Sequence, residues 1–562
     1  MNRLFSSLFL CGCFFFSQAQ STDLISLQKQ ITEKTGRVED AKSNYAQRWA
    51  YDDAIPYRVT LTLIETDKKK GKSETSEYHF NLADLDPNLV REETRKDLKM
   101  ITAGVAGKQK MVQVFEDGEQ QNYIDEISIL VPESQAADEL KGLIKAVIPL
   151  AKELDKQRLK VNTYEDMVQW LIENITDFNK GEDAYKVDLQ QDEDDELIYH
   201  YTFVKPGRKE ATTNEYWFNL SDLDAYTVKL DVRGKDVNVD VNVERKQKFI
   251  TVRENGEMKN YESDLSIQVG EVDQGRDLAE VLRLIIAEAD KKREAMVQAI
   301  DNLENGLQEF QETLTDFEQD GDKFSQSFEA GCHTQYSLKT TDTKGEVSED
   351  LYDVQLGDLA ANNISIKISG RKMTVLAKVK DGDNYIKYFS DGEQKNYTDK
   401  IEFLASGVEN AKTLAVLLKQ ISEQCDQQRD LAIPDTDVNS WLVEQTDGYK
   451  DPHTPEYEQH LTIDANACSI TFATVEPKGK NFEKMKYEVF LKELNPESLK
   501  PSVSGKSMAV KLGTVYNEKH IKSYKNDEVE KFTDSFEIRV AGIEEARVLI
   551  EGLKQLIGNC KE

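Results

Sequence analysis

Cysteines are the residues of this chain whose chemistry is easiest to interpret from spacing. Apart from Cys11 and Cys13 near the N-terminus, the chain holds four of them, Cys332, Cys425, Cys468 and Cys560. Their separations lack the C-x-x-C spacing of a zinc site, which argues against metal binding. An even number of cysteines in an exported chain indicates disulfides, although four cysteines allow three pairings.

Catalytic and phosphate-binding motifs are missing from the sequence. It contains no G-x-S-x-G and no H-E-x-x-H segment. Gly505, Lys506 and Ser507 resemble the end of a phosphate-binding loop, but Lys500 stands where that loop needs a glycine. The acidic loop around Gly382 lacks the twelfth-position ligand of an EF-hand. We therefore expect no enzyme activity, no bound metal and no cofactor.

Lysines at the tip of the first predicted hairpin are unusual in a chain whose formal net charge is −32. The candidate ligand-binding residues among them are Lys68, Lys69, Lys70, Lys72, Lys478 and Lys480. One interpretation is that they are solvated residues that keep strand edges from pairing with other chains. The alternative is that they bind anionic ligands or the surface of a cell envelope.

A recurring aromatic position offers a second candidate site. Tyr123, Tyr261, Tyr397 and Phe532 occupy equivalent places in four similar segments. They could form a row of stacking platforms for a sugar or peptide. The favoured interpretation is that each aromatic side chain anchors a hairpin to its core.

These candidates belong to a repeat that organises the whole chain. A first block ends at Leu82, Leu220, Leu356 and Leu491. A second block contains an Asx-Gly pair, replaced by Asn526 and Asp527 in the fourth copy, followed by the recurring aromatic residue. The aromatic residue lies 41 positions after the block leucine in all four copies. We predict a signal peptide over 1–19 and four repeats over 20–155, 160–292, 300–428 and 436–562.

Each repeat combines strand and helix periodicity. Alternating apolar residues such as Ile364, Ile366 and Ile368 indicate strands, and the Asx-Gly pairs indicate tight hairpin turns. Apolar residues at steps of three and four, from Val408 to Cys425, indicate a helix that closes the repeat. The prediction is an α+β fold in which each repeat is a small antiparallel sheet or partly open barrel of six or seven strands closed by a C-terminal helix.

Helices are also predicted between the repeats. Trp170 and Trp441 each lie 50 residues before a block leucine, which indicates a helix that opens the repeat. In the third copy we expect instead one long charged helix from about Asp290 to Gln319, holding the second and third repeats apart.

The repeat register selects one cysteine pairing. Cys425 and Cys560 are equivalent helix residues, and Cys332 and Cys468 are equivalent within one residue at the start of the first strand. Bridges from Cys332 to Cys425 and from Cys468 to Cys560 satisfy both copies with one geometry. The residues that match Cys425 in the first two copies are Ala151 and Ala289, which predicts a tight buried position.

The N-terminal segment indicates the compartment of the protein, and the net charge restricts the partners that it can bind. The apolar run from Leu4 to Phe16, followed by small residues up to Ala19, predicts a cleaved secretory signal. A lipoprotein attached through Cys13 is the alternative. The acidic balance opposes nucleic-acid binding, and no later segment has the length of a transmembrane span.

The order of elements resembles the pleckstrin-homology-like superfold, which has seven short strands, a closing helix and basic residues in an early hairpin loop. The resemblance covers each copy and implies that loops such as 68–72 and 478–486 face anionic headgroups or peptides.

The repeats favour a noncatalytic protein of the periplasm or cell exterior that binds a protein or glycan partner or acts as a scaffold. A binder of anionic ligands or of the envelope surface, in peripheral contact with it, is one alternative. A hydrolase with an unrecognised site is the other.

Overall fold

The computed structural model describes residues 21–95, 98–132, 134–296, 300–429, 431, 433 and 437–560. The predicted signal peptide, with Ala19 and Cys13, lies outside the described residues. Over the described part the chain is an α+β protein, built mostly of antiparallel sheets with helices beside them. Its sheets come in consecutive groups, each with one large sheet and one three-stranded sheet.

Group 1 begins with a helix α1 over 21–34 and ends with a long helix. Its remaining elements are β1 Arg37–Glu39, β2 Ser43–Tyr51, β3 Arg58–Asp67, β4 Ser73–Asn81, β5 Leu85–Arg95, β6 Leu98–Val105, β7 Gln113–Glu116, β8 Glu119–Gln120, β9 Glu126–Val131 and α2 Ser134–Asp155.

Groups 2 and 3 repeat this order, and group 4 repeats it without the short first strand among the described residues. Group 2 has α3 Tyr164–Asn174, β10 Phe178–Lys180, β11 Asp183–Gln191, β12 Ile198–Lys205, β13 Thr212–Asn219, β14 Lys229–Arg233, β15 Asp236–Asn242, β16 Ile250–Glu254, β17 Glu257–Glu262, β18 Asp264–Val269 and α4 Val272–Met296. Group 3 has α5 Leu303–Thr313, β19 Phe317–Gln319, β20 Asp322–Phe328, β21 His333–Thr341, β22 Val347–Gln355, β23 Ser365–Ser369, β24 Lys372–Lys378, β25 Lys387–Ser390, β26 Glu393–Gln394, β27 Lys400–Ala405 and α6 Val408–Gln427. Group 4 has α7 Val438–Asp447, β28 Glu458–Asp464, β29 Ser469–Lys478, β30 Asn481–Phe490, β31 Lys500–Ser504, β32 Ser507–Gly513, β33 Ile521–Lys525, β34 Glu528–Thr533, β35 Ser535–Val540 and α8 Ile543–Asn559.

The strands of a group form two separate sheets. In group 1 the large sheet has the order β1-β2-β3-β4-β7-β8, and the small sheet has the order β5-β6-β9. The chain leaves the large sheet after β4, builds two strands of the small sheet, returns for β7 and β8, and then completes the small sheet. Among the described residues none of the sheets closes into a barrel, and groups 1 to 3 have nine strands each there instead of six or seven. Strands of two or three residues, such as β1 and β8, are too short to show the alternation that reveals a strand in sequence.

The Asx-Gly turns explain why the internal register of the copies does not drift. Asp117 and Gly118 both have positive φ, as a two-residue hairpin turn requires. Asp117 also accepts a hydrogen bond at Oδ1 from the backbone N of Thr75, 2.9 Å away on the neighbouring strand. The same contact is made at distances of 3.0 Å from Thr213 to Asn255, from Glu349 to Asp391 and from Lys484 to Asn526. Each contact spans 42 residues, so a shift of register would break it.

The closing helices form as the periodicity predicts. In α6 the apolar stripe that includes Ala411, Leu414, Leu418 and Ile421 is buried, and α8 buries its equivalent stripe. The helix of each group lies on the small sheet and on the 3₁₀ turn that follows the block leucine. The core of group 1 therefore lies between its two sheets and α2.

The opening helices are confirmed in groups 2 and 4. Leu171 in α3 and Leu442 in α7 are buried, and a Cβ added to Gly552 of α8 would lie 2.6 Å from the Trp441 ring. The expected long helix from Asp290 to Gln319 is wrong. Helix α4 ends at Met296, α5 occupies Leu303–Thr313, and Phe317–Gln319 is a strand. Asn302 starts α5 as its N-cap, because its side chain accepts a hydrogen bond from the backbone N of Asn305.

The chain divides into two compact units, one up to residue 297 and one from residue 298. Unit 1 holds groups 1 and 2, and unit 2 holds groups 3 and 4. Contacts inside each unit therefore join the groups in pairs.

Candidate functional site

The solvent face of each large sheet carries a partly buried aromatic side chain at a recurring place. At this place two strands of the large sheet pair with each other. They are β4 and β7 in group 1, β13 and β16 in group 2, β22 and β25 in group 3, and β30 and β33 in group 4. Cross-strand partners there are Glu77 and Phe115, Glu215 and Arg253, Leu351 and Phe389, and Lys486 and Tyr524. In group 2 the aromatic ring comes from Trp217, two residues along the fourth strand. We call Phe115, Trp217, Phe389 and Tyr524 the four platforms.

Each platform is in contact with a cationic or protonatable side chain. The ring of His79 lies 5.0 Å from that of Phe115, and the ring of His200 is stacked 4.2 Å from that of Trp217. The Arg253 guanidinium also lies over Trp217, at 4.9 Å. Lys387 Nζ is 5.7 Å from the Phe389 ring. Cation–π attraction at such distances contributes about 0.5–1 kcal/mol at exposed sites.

Platform 4 has the densest set of charges. Lys486 Nζ and Lys522 Nζ lie 4.0 and 4.8 Å from the Tyr524 ring. The Tyr524 hydroxyl donates to Glu488 Oε2 over 2.7 Å. That hydrogen bond, supported by Lys486, holds the pKa of the Glu488 carboxyl below its usual value. A flat ring flanked by donors and acceptors can stack on a ligand and hydrogen-bond its polar groups.

The recurring aromatic residues of the sequence repeat are distinct from the four platforms. Tyr123, Tyr261 and Tyr397 are buried, with 2%, 6% and 7% exposure, as the anchoring interpretation requires. Phe532 differs, since it is 53% exposed on strand β34. The backbone N of Tyr123 donates to Gly234 O over 3.0 Å, and that of Tyr397 donates to Gly505 O over 3.1 Å. These two tyrosines therefore help to join the paired groups.

Ion pairs complete each junction between groups. In unit 1 Arg276 of α4 pairs with Asp84 of group 1 and lies 2.8 Å from Asp273. In unit 2 Arg547 of α8 pairs with Asp358 of group 3. Burial raises the pKa of Asp84 to about 7, although the Arg276 guanidinium opposes the rise.

A further arginine reinforces each junction. Arg158 pairs with Asp155 and with Asp277 in unit 1. In unit 2 Arg429 lies 2.7 Å from Asp358, so that Asp358 has two guanidinium partners. Burial still raises the pKa of Asp358 above its usual value.

The hairpin-tip lysines lie on the surface, at the β3–β4 and β29–β30 turns. These turns are the third hairpin of group 1 and the second of group 4, because the strands that precede them were not expected. Lys68, Lys72 and Lys478 pair with Glu39, Glu74 and Glu483. Lys69, Lys70 and Lys480 are exposed and form no ion pair with the described residues.

A polar cavity lies inside unit 1, where group 1 meets the start of α4. Its volume is about 400 Å³, and its lining includes Arg58, His79, Tyr123, Glu271 and Asp273. Arg58 Nε lies 2.6 Å from Asp273 Oδ2. The cavity brings together residues from positions that are far apart in the sequence.

Disulfides join Cys332 to Cys425 and Cys468 to Cys560, which is the pairing selected by the repeat register. The Cα atoms are 5.5 and 5.7 Å apart. Cys332 and Cys468 immediately precede β21 and β29, which are not the first strands of their groups. Cys425 is buried, as are Ala151 and Ala289 at the matching positions. The two bridges fit an extracellular or periplasmic protein.

The platforms were missed in the sequence, although a signal was present. Phe115, Phe389 and Tyr524 each lie two residues before the Asx residue of the hairpin turn. The position becomes a candidate only when the pairing of the strands shows that it faces solvent.

The described residues contain no cluster of three or more His, Cys, Asp or Glu side chains placed to hold a metal ion. Within the same part of the chain, no helix has both the length and the apolar character needed to cross a membrane. No protein-family model and no curated protein matches the chain.

Proposed function

We propose that this chain is a noncatalytic secreted or periplasmic binding protein whose platforms each bind a short stretch of polysaccharide. The observation that carries the proposal is that all four groups have an aromatic ring beside a cationic or protonatable side chain where the same two strands of the large sheet pair. Repetition suits a ligand that is itself a repeating polymer. Tandem weak sites on one chain gain apparent affinity through effective concentration.

The chemistry around the rings favours sugar over an apolar protein surface. The platforms are partly buried, so each exposes only a small apolar area. Side chains of both signs lie beside them, such as Lys486 and Glu488. They supply donors and acceptors for hydroxyl groups.

The test measures binding of the full mature chain to an array of defined polysaccharides. We expect binding to at least one polysaccharide, without release of shorter products. Phe115→Ala, Trp217→Ala, Phe389→Ala and Tyr524→Ala should each weaken the apparent affinity by roughly tenfold, and the quadruple variant should abolish binding.

Tyr226→Ala is the matched control, because Tyr226 is fully exposed outside the platforms. It should bind as the wild type does. Equal binding by the quadruple variant would refute the proposal, and so would binding to immobilised proteins only. Release of shorter sugars would refute the noncatalytic part.

Binding of anionic surfaces through the hairpin tips is a second candidate, supported by the exposed and unpaired Lys69, Lys70 and Lys480. Vesicles of phosphatidylglycerol and phosphatidylcholine in equal parts should then sediment the wild type but not the Lys69→Glu/Lys70→Glu variant. Lys344→Glu, at the equivalent tip of group 3, is the control. Equal sedimentation of all three proteins would argue against this role.

A further inference from the structure

The polar cavity of unit 1 brings together charges of opposite sign. Arg58 comes from the start of β3, and Glu271 and Asp273 come from the start of α4. Apolar side chains such as Phe80 and Met111 line the same space. A volume of about 400 Å³ lies within the range of small-molecule sites.

The guanidinium of Arg58 lies beside one carboxylate and still has hydrogen-bond donors available for a ligand. Its Nε lies 2.6 Å from Asp273 Oδ2 but makes no hydrogen bond to a described residue, and Asp273 is itself held by Arg276 Nη1 at 2.8 Å. The Nη atoms of Arg58 make no hydrogen bond to any described residue. A guanidinium edge in this state can receive a carboxylate through two parallel hydrogen bonds.

Glu271 provides the opposite charge at the rim. It is exposed, lines the cavity and forms no ion pair within the described part of the chain. A carboxylate accepts hydrogen bonds from an ammonium group. The cavity therefore offers a site for each sign of charge.

Tyr123 is the second, independent observation that points to a ligand. Its side chain is only 2% exposed, yet its hydroxyl has no hydrogen-bond partner among the described residues. The hydrogen bond from its backbone N to Gly234 O keeps the residue in place. A buried unpaired polar group costs about 1–3 kcal/mol, which a polar ligand atom would offset.

The charged pair is peculiar to unit 1. In unit 2 the positions equivalent to Arg58 and Glu271 are His333 and Gly542, while Tyr397 matches Tyr123. The described part of unit 2 therefore lacks this combination of an arginine and a glutamate.

We propose that the unit 1 cavity binds a small zwitterion of amino-acid or dipeptide size. The ligand carboxylate lies on Arg58, its ammonium lies on Glu271, and one of its polar atoms pairs with the Tyr123 hydroxyl. A simple cation would leave the Nη edge of Arg58 without a ligand partner, and a simple anion would leave Glu271 without one. The cavity shares His79 with the Phe115 platform but is lined by none of the four platform rings. Different ligands and different variants therefore test the zwitterion proposal and the polysaccharide proposal.

The test is calorimetric titration of the full mature chain with L-alanyl-L-alanine. Two blocked peptides serve as matched probes, N-acetyl-L-alanyl-L-alanine without the ammonium and L-alanyl-L-alanine amide without the carboxylate. We expect each blocked peptide to bind at least tenfold more weakly. Arg58→Gln should remove the preference for the free carboxylate, and Glu271→Gln should remove the preference for the free ammonium.

Tyr123→Phe should weaken binding of the dipeptide several-fold, whereas Tyr397→Phe at the matching position of unit 2 should not change it. The blocked-peptide comparison needs no substitution, so it remains decisive if a variant fails to fold. No binding of the dipeptide at millimolar concentration would overturn the proposal. Equal binding of the three peptides would overturn it as well.

Discussion

Removing the junction arginine of unit 1 should destabilise that unit in a pH-dependent way. Asp84 and Arg276 have side chains only 9% and 17% exposed, and the two pair directly. Arg276→Gln leaves Asp84 buried without the guanidinium that pairs with it. Breaking a buried ion pair by removing one partner costs about 3–5 kcal/mol.

The magnitude depends on the protonation of Asp84. The pKa of Asp84 is already raised by burial to about 7, and loss of Arg276 should raise it further. Near pH 5.5 Asp84 is protonated in the folded wild type and in the folded Arg276→Gln variant. The variant should then lose about 1–1.5 kcal/mol of unfolding free energy through its lost hydrogen bonds. Above pH 7 only the variant still holds the proton when folded. The cost should then grow by up to about 1.4 kcal/mol per pH unit and reach about 3 kcal/mol near pH 8.

Arg547→Gln in unit 2 is the matched control. Asp358 keeps Arg429 at 2.7 Å in that variant, so a smaller loss is expected. Urea unfolding followed by tryptophan fluorescence reports mainly on unit 1, because Trp49, Trp170 and Trp217 lie there and only Trp441 lies in unit 2. Hydrogen exchange measured on peptides of each unit assigns the loss. A cost for Arg276→Gln that is the same at pH 5.5 and pH 8, or smaller than that of Arg547→Gln, would refute this reasoning.

Three further outcomes are expected. The intact unreduced chain should weigh four hydrogens less than the reduced chain, and Cys332→Ala/Cys425→Ala should lower the unfolding free energy of unit 2 by about 2–5 kcal/mol; four reactive thiols in the denatured unreduced chain would contradict this. Asp391→Gly keeps the positive φ of the turn but loses the hydrogen bond from Glu349 N, so urea unfolding should show a loss of about 1 kcal/mol, with Asp391→Asn close to wild type. The folded protein binds the Asp84 proton more tightly than the unfolded chain does, so the stability of unit 1 should fall as pH rises from about 4 to about 7. The Asp84→Asn variant should show a shallower fall in the same urea series. Identical slopes for wild type and variant would contradict the raised pKa of Asp84.

The sequence predicted the features that depend on local chemistry or on comparison between copies. Asx-Gly pairs identified the hairpin turns because those residues tolerate positive φ. Apolar steps of three and four identified α6 and α8 because a helix must bury one face. The equivalence of Cys425 and Cys560 selected one disulfide pairing out of three, and the structure has that pairing.

Short elements and a broken helix could not be inferred from periodicity. Strands β1 and β8 have three and two residues, which is too few for an alternation to be visible. The segment from Asp290 to Gln319 is polar and helix-compatible on both sides of Asn302, so the N-cap was hidden within a continuous pattern.

Tertiary structure alone decided how the copies are joined and which of their faces remain open. The pairing of Arg276 with Asp84, separated by 192 residues, has no local signal. Phe115 became a platform because strand pairing directs it to solvent, whereas Tyr123 of the same hairpin became buried at the junction. Local sequence sets turns, helices and register through short-range sterics and hydrogen bonds. The position of a side chain at a surface, junction or cavity depends on contacts with residues far away in the chain.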